Sequence, residues 1–240
     1  GLAKSLKAMG LKKGDRVMLV SENRPEWCIA DLAIMAAGCV TVPTYITNTE
    51  RDHQHILDNS QSRAVIVSTA KLAQHLMPAV VRSSECEFVI GMEPLKVTQR
   101  GQQKHHDWAD LVQGTDADVR ALTEEMAHVG RRELACIIYT SGTGGAPRGV
   151  MLHHGSIICN VDGAAQVLRD DFGLDNERFL SFLPLSHAYE HSGGQFLPIG
   201  VGAEIYYAEG LEKLASNIEE TQPTIMVVVP RLFEVLRTRM

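Results

Sequence analysis

Residues 135–150 read ACIIYTSGTGGAPRGV. An apolar run enters a stretch holding Gly142, Gly144, Gly145 and Gly149, the hydroxyls of Thr140, Ser141 and Thr143, and the cation of Arg148. Glycine lets backbone N–H groups approach an anion with no Cβ in the way. Hydroxyls donate to phosphate oxygens, and a guanidinium adds a charge-assisted contact that can be bidentate. Pro147 restricts the backbone beside them. This composition is that of a polyphosphate cradle. It is not a Walker loop: Gly144 to Gly149 has the spacing, but Val150 and Met151 stand where Lys and Ser or Thr are required. Nor is it a dinucleotide turn, because Pro147 and Arg148 fall where close approach and helix opening are needed.

A second constellation is His187, Glu190 and His191 in LPLSHAYEHSGG. The spacing H-x-x-E-H is that of an inverted zinc-peptidase motif, in which two histidines one helical turn apart grip a metal and the carboxylate acts as base. Gly193, Gly194 and Pro198 follow directly and would weaken a rigid metal-bearing helix. A zinc hydrolase is therefore one alternative reading, and a non-catalytic nucleotide-binding module is another. The other histidines show no ligand spacing. His53 and His55 are expected on a solvated helix, His105 and His106 in a polar excursion, and His153 and His154 at a helix entry.

The elements that must carry these residues follow from periodicity. Apolar runs at 16–20, 40–42, 64–67, 88–90, 135–139, 179–183, 203–207 and 224–229 predict strands. Amphipathic patterns at 25–38, 49–59, 70–81, 153–169, 210–220 and 230–239 predict helices between them. The alternation implies an α/β fold, with mainly parallel sheets flanked by helices. Residues 91–118 are polar and turn-rich, and are expected to be a surface excursion or a subdomain boundary.

The chain has 240 residues and 45% hydrophobic content, enough for a sizeable core. A formal charge of −6 argues against nucleic acid as the main partner. Cys28, Cys39, Cys86, Cys136 and Cys159 form no C-x-x-C pair and are expected to be buried free thiols in a reducing cytoplasm. No run reaches the roughly 18 apolar residues of a membrane helix. Peripheral contact with a membrane stays open, and no oligomeric state is legible. The chain starts without Met and stops inside a helical pattern, so a piece of a longer protein is expected.

The glycine-rich segment resembles the signature Y-T-S-G-T-T-G-x-P-K-G-V of the adenylate-forming superfamily, which includes acyl-CoA synthetases, luciferases and peptide-synthetase adenylation domains. It matches at Tyr139, Thr140, Ser141, Gly142, Thr143, Gly145, Pro147, Gly149 and Val150. Gly144 replaces a Thr and Arg148 a Lys. The blocks 14–27, 38–67, 179–207 and 223–236 also resemble the family, and VPTYITNT with LPLSHAYEH is closest to long-chain fatty acyl-CoA synthetases.

The resemblance implies the N-terminal part of an adenylation domain, with ATP, Mg²⁺ and CoA as reaction partners and a small-molecule carboxylic acid as substrate. A long-chain fatty acid is the expected acid; a short-chain, aryl or amino acid is the alternative. It implies that Thr140, Ser141, Gly142, Thr143, Gly144, Gly145 and Arg148 hold the ATP phosphates. It also implies that His187, Tyr189, Gly193 and Gly194 shape the acyl pocket. The family's later Y-G-x-T-E and T-G-D blocks and its lid lysine do not occur in these residues. The 240 residues alone are therefore expected to be inactive.

Overall fold

Apolar runs become strands where both their faces are covered. The computed structural model describes residues 1–95, 101–140, 146–230 and 232, which divide into units Gly1–Ser156 and Ile157–Met240. In the first unit the chain runs through α1 (Leu2–Ala8), β1 (Arg16–Val20), α2 (Pro25–Ala36), β2 (Val40–Thr44), α3 (Glu50–Ser60), β3 (Ser62–Val67) and α4 (Ala70–Arg82). It continues through β4 (Phe88–Gly91), β5 (Lys104–Asp107), α5 (Trp108–Leu111), α6 (Asp116–Met126), β6 (Leu134–Thr140) and β7 (Arg148–His153).

These strands form one sheet in the order β5-β4-β3-β1-β2-β6-β7. All neighbours are parallel except β6 and β7. Central β1 is buried on both faces, as its unbroken run Val17-Met18-Leu19-Val20 requires. Met18, Val20, Val65, Val67 and Val89 pack with Leu57 of α3 and with Leu76 and Met77 of α4. Each such side chain contributes roughly 1.5–3 kcal/mol by leaving water.

Local chemistry sets the helix starts. Pro25 occupies the first turn of α2, where its missing N–H costs nothing. Thr49 and Asp52 form a reciprocal capping box at α3, and Thr69 caps α4. Helix α3 ends at Gln61 in the left-handed region (φ 53°), and β3 begins at the next residue.

The second unit holds α7 (His154–Asp171), which begins at the boundary, then β8 (Arg178–Ser181), α8 (Ala188–Glu190), a π-helix (His191–Phe196), α9 (Leu197–Val201), β9 (Glu204–Tyr207) and α10 (Leu214–Thr221). β8 and β9 pair in parallel. Phe179 and Leu197 pack with Ala165 on one side, and Leu180 packs with Leu214 and Leu232 on the other.

Three expectations are corrected. The polar stretch after residue 91 supplies β5, a parallel edge strand pairing Phe88 with Lys104 and Ile90 with His106. An edge strand needs backbone partners on one side only, so its side chains can stay polar. Residues 148–153, expected as loop and helix entry, form the antiparallel strand β7. Its side chains are mostly exposed, so no buried alternation announced it. Residues 224–229, expected as a strand, make a single bridge between Ile225 and Phe179. The four-residue β8 already pairs with β9, and Pro223 and Pro230, which have no N–H, flank the segment. The expected helix 230–239 lies outside the described residues except at 230 and 232.

All five cysteines are free. Cys39, Cys86 and Cys136 are buried as expected, but Cys28 is half-buried and Cys159 is exposed on α7. Burial pushes Cys39 up to about 11 and Cys86 up to about 12, and Cys136 is raised further. No described helix is long and apolar enough to cross a membrane.

Candidate functional site

The two strands that flank the glycine-rich segment end in exposed residues, Thr140 and Arg148. Along β6, Ala135, Cys136, Ile138 and Tyr139 are buried and Thr140 emerges exposed. β7 returns antiparallel, pairing Thr140 with Arg148 and Tyr139 with Gly149. The exposed hydroxyl of Thr140 and the exposed guanidinium of Arg148 thus stand on paired positions, at the carboxyl end of a strand that runs parallel to β2. Open α/β sheets bind ligands beyond the carboxyl ends of their strands. Ser141, Gly142, Thr143, Gly144 and Gly145 lie outside the described residues.

Gly149 has a different reason to be glycine. A Cβ there would stand 2.7 Å from Ile137 Cγ2 and 3.0 Å from the Tyr139 ring, closer than side chains tolerate. The absent Cβ makes room for Tyr139, not for a phosphate.

Two histidines expected in solvent are not there. His53 is 1% exposed, and burial pushes its pKa down to about 4, the Asp52 charge opposing. His55 is half-buried, with Nε2 at 2.8 Å from the Pro147 carbonyl oxygen. The amphipathic pattern that places Ile56 and Leu57 in the core carries His53 with them, since residues three and four apart share a helix face. That spacing was the available signal for His53. At the end of β7, His153 Nδ1 accepts from Ser156 N–H at 2.9 Å, as a helix-entry residue does. His154 is shifted down, by burial first.

In the second unit the H-x-x-E-H residues separate by environment. The His187 N–H donates to the Pro184 carbonyl at 2.9 Å, and His187 Nδ1 accepts from the Tyr189 N–H at 3.2 Å, capping α8. His187 and Tyr189 are exposed, Tyr189 by 52%. Glu190 is fully buried, and His191 is buried with its ring 4.8 Å from that of Phe196. Among the described residues no three His, Cys, Asp or Glu side chains gather to hold a metal.

Glu190 is the residue whose environment the sequence concealed. Ser181 Oγ donates to its Oε1 at 2.7 Å. Burial pushes the carboxyl up to about 7, opposed by Ser181 and the Phe182 N–H. The π-helix begins immediately after it and contains both Gly193 and Gly194. Such widened turns concentrate at functional sites. A Cβ on Gly194 would overlap the Glu190 carboxyl, and one on Gly193 would lie 2.9 Å from Val227 Cγ2. The glycines let the wide turn close on its neighbours.

An AMP-binding enzyme family model matches residues 1–240. The chain is 29% identical over 238 residues to the long-chain-fatty-acid–CoA ligase FadD15 of Mycobacterium tuberculosis, covering 97% of this chain and 37% of that protein. It is also 29% identical to the human long-chain-fatty-acid–CoA ligase ACSBG2, covering 97% of this chain and 35% of that protein. It therefore spans little more than a third of these curated relatives. A mutant form of coronafacic acid ligase from Pectobacterium brasiliense shares the fold with a TM-score of 0.81 at 20% identity, over 99% of this chain and 44% of that one. On the match of the family model over residues 1–240, the chain belongs to the AMP-binding enzyme family.

Proposed function

We propose that this chain forms the phosphate-binding and acid-binding part of a ligase that activates a long-chain fatty acid with ATP and passes it to CoA. The observation that carries the reading is the pairing of Thr140 with Arg148 at the mouth of the glycine-rich segment, within a chain matched along its whole length by the AMP-binding family. The relatives named as long-chain fatty acid ligases support the choice of acid.

In the first step a carboxylate oxygen attacks the α-phosphorus of ATP, the bond to the β-phosphate bridging oxygen breaks, and pyrophosphate leaves. In the second the CoA sulfur attacks the acyl carbon, the bond to the AMP oxygen breaks, and the thiol proton passes to solvent. Catalysis of this kind is positioning and charge stabilisation. Thr140 Oγ1 and the Arg148 guanidinium donate to phosphate oxygens, joined by Ser141, Gly142, Thr143, Gly144 and Gly145. A nucleotide-bound Mg²⁺ would supply charge neutralisation at the phosphates, and Thr140 Oγ1 is a hard oxygen donor of the kind it takes. His187, Tyr189, Gly193 and Gly194 form part of the acid pocket wall, His187 through the edge of its ring not engaged in capping.

Hydroxamate trapping on the full-length protein, with short, long and aromatic acids, tests the reading. Long-chain acids are expected to react in an ATP-dependent manner; reaction of aromatic acids alone would overturn the assignment of the acid. The 240 residues by themselves are expected to give no ATP–pyrophosphate exchange, because the motifs that hold adenine and ribose in this family do not occur in them.

A further inference from the structure

We propose that His55 and Asn59 of α3 are positioning residues for the glycine-rich segment, tying down both stems by which it joins the sheet. The two lie four residues apart and share one face of the helix. His55 Nε2 is 2.8 Å from the Pro147 carbonyl oxygen. A carbonyl only accepts, so Nε2 carries the proton and donates. Tyr139 Oη donates to Asn59 Oδ1 at 2.6 Å. The His55 ring meets the Tyr139 ring edge-on, with centroids 6.3 Å apart and planes at 89°. Tyr139 is the residue before Thr140, and Pro147 is the residue before Arg148. One helical turn of α3 thus grips the chain on both sides of the segment, next to Thr140 and Arg148, the two described residues assigned above to the phosphates.

The sheet alone does not supply this grip. Among the described residues β7 is the last strand of the sheet, with no strand paired on its outer side and with Arg148, Gly149, Val150 and Met151 exposed. Pairing with β6 sets the spacing of Thr140 and Arg148, but not the position of the hairpin end. Pro147 has no N–H, so its carbonyl is the only backbone group it can offer as an anchor. The opposite face of α3 buries Ile56 and Leu57 in the core, and its first turn is held by the Thr49–Asp52 box. The helix therefore transmits the rigidity of the core to the hairpin end. A pre-positioned binding segment loses less freedom when it takes its ligand, and so binds more tightly.

This inference rests on the segment being a nucleotide phosphate loop. Its test is calorimetric titration of the full-length protein with ATP, alongside steady-state KM values for ATP and acid. His55→Ala and Tyr139→Phe are each expected to weaken ATP binding about tenfold, the scale of one lost hydrogen bond. His55→Gln, which keeps an N–H near the Nε2 position, is expected to recover most of the loss. The KM for the acid is expected to stay at the wild-type value in all three. Thermal melts identify any variant that has not folded.

Wild-type ATP affinity in both His55→Ala and Tyr139→Phe overturns the proposal. So does a loss shared equally by His55→Gln and proportional to lost melting temperature, which is the behaviour of a merely structural contact. If the wild type binds ATP but activates no acid, the ligase reading fails while the clamp is still judged on ATP affinity. If the wild type binds no ATP, both fall.

Discussion

Ser181 Oγ donates a 2.7 Å hydrogen bond to Glu190 Oε1, at a carboxyl with no exposed surface. Ser181 closes β8, and Glu190 is the last residue before the π-helix. The bond therefore links the end of a strand to the start of the widened turn. A carboxyl buried this way, with only the neutral donors Ser181 Oγ and the Phe182 N–H opposing the effect of burial, holds its proton more firmly than one in water.

This has a consequence for stability against pH. The folded pKa of Glu190 is about 7, above its ordinary value of 4.5. Between these values the native state binds more protons than the unfolded state, so stability falls as pH rises through the window and levels off above it. The full shift corresponds to a loss on the order of 3 kcal/mol. Urea denaturation from pH 5 to pH 8 is expected to show this contribution in the wild type against the opposing one of buried His53, whose lowered pKa makes stability rise with pH up to its ordinary value of 6.5. Glu190→Gln, which still accepts from Ser181 but cannot ionise, is expected to remove the Glu190 contribution and leave the rise due to His53. An equal slope in both proteins would refute the assignment.

The two glycines of the π-helix are expected to differ in tolerance. Gly194→Ala drives a methyl into the Glu190 carboxyl, which burial and Ser181 hold in place, so a cost of ~1–3 kcal/mol is expected. Gly193→Ala meets only the end of the Val227 side chain at 2.9 Å, which can turn aside, and the cost is expected to be smaller. Melting temperatures of the two variants decide this; the reverse order would show that Glu190 gives way more readily than Val227.

The capping box of α3 behaves oppositely to Glu190. The Asp52 carboxyl is held below the usual range, by the Thr49 hydroxyl first and the Thr49 N–H next. Its contribution is therefore present above the ordinary aspartate range and is lost as pH falls through it. Thr49→Ala is expected to cost about 1 kcal/mol at neutral pH. Because α3 carries His55 and Asn59, the same variant is expected to weaken ATP binding slightly; denaturation and titration of one preparation would measure both.

Arg148 is exposed and paired with Thr140, so its role is expected to appear in nucleotide binding and not in stability. Arg148→Ala is expected to raise the KM for ATP by roughly tenfold to a hundredfold, the range of a hydrogen bond between charged groups. Arg148→Lys keeps the charge and loses only the fork geometry, so it should lose less. An unchanged KM in Arg148→Ala would remove the guanidinium from the phosphate site.

The central strands were legible because their burial is written in composition. RVMLV at 16–20 and AVIV at 64–67 can only be covered on both faces, and both became inner strands. The family signature was legible because it is a contiguous run of residues. Edge elements were not. KHHD at 104–107 and RGVMLH at 148–153 become strands through backbone pairing with β4 and β6, which leaves no mark on side-chain pattern. TIMVVV at 224–229 has the composition of a strand but only one bridge to make.

By itself, then, the sequence determined the parallel α/β core and the family signature of the glycine-rich run, because burial and a contiguous signature are each written in local residue order. Tertiary structure alone decided that His55 and Asn59 reach the loop stems, that Gly149 makes room for Tyr139, and that Glu190 is sealed against Ser181. Those depend on which segments distant in the chain meet, and hydrogen bonding and desolvation act only once they have met.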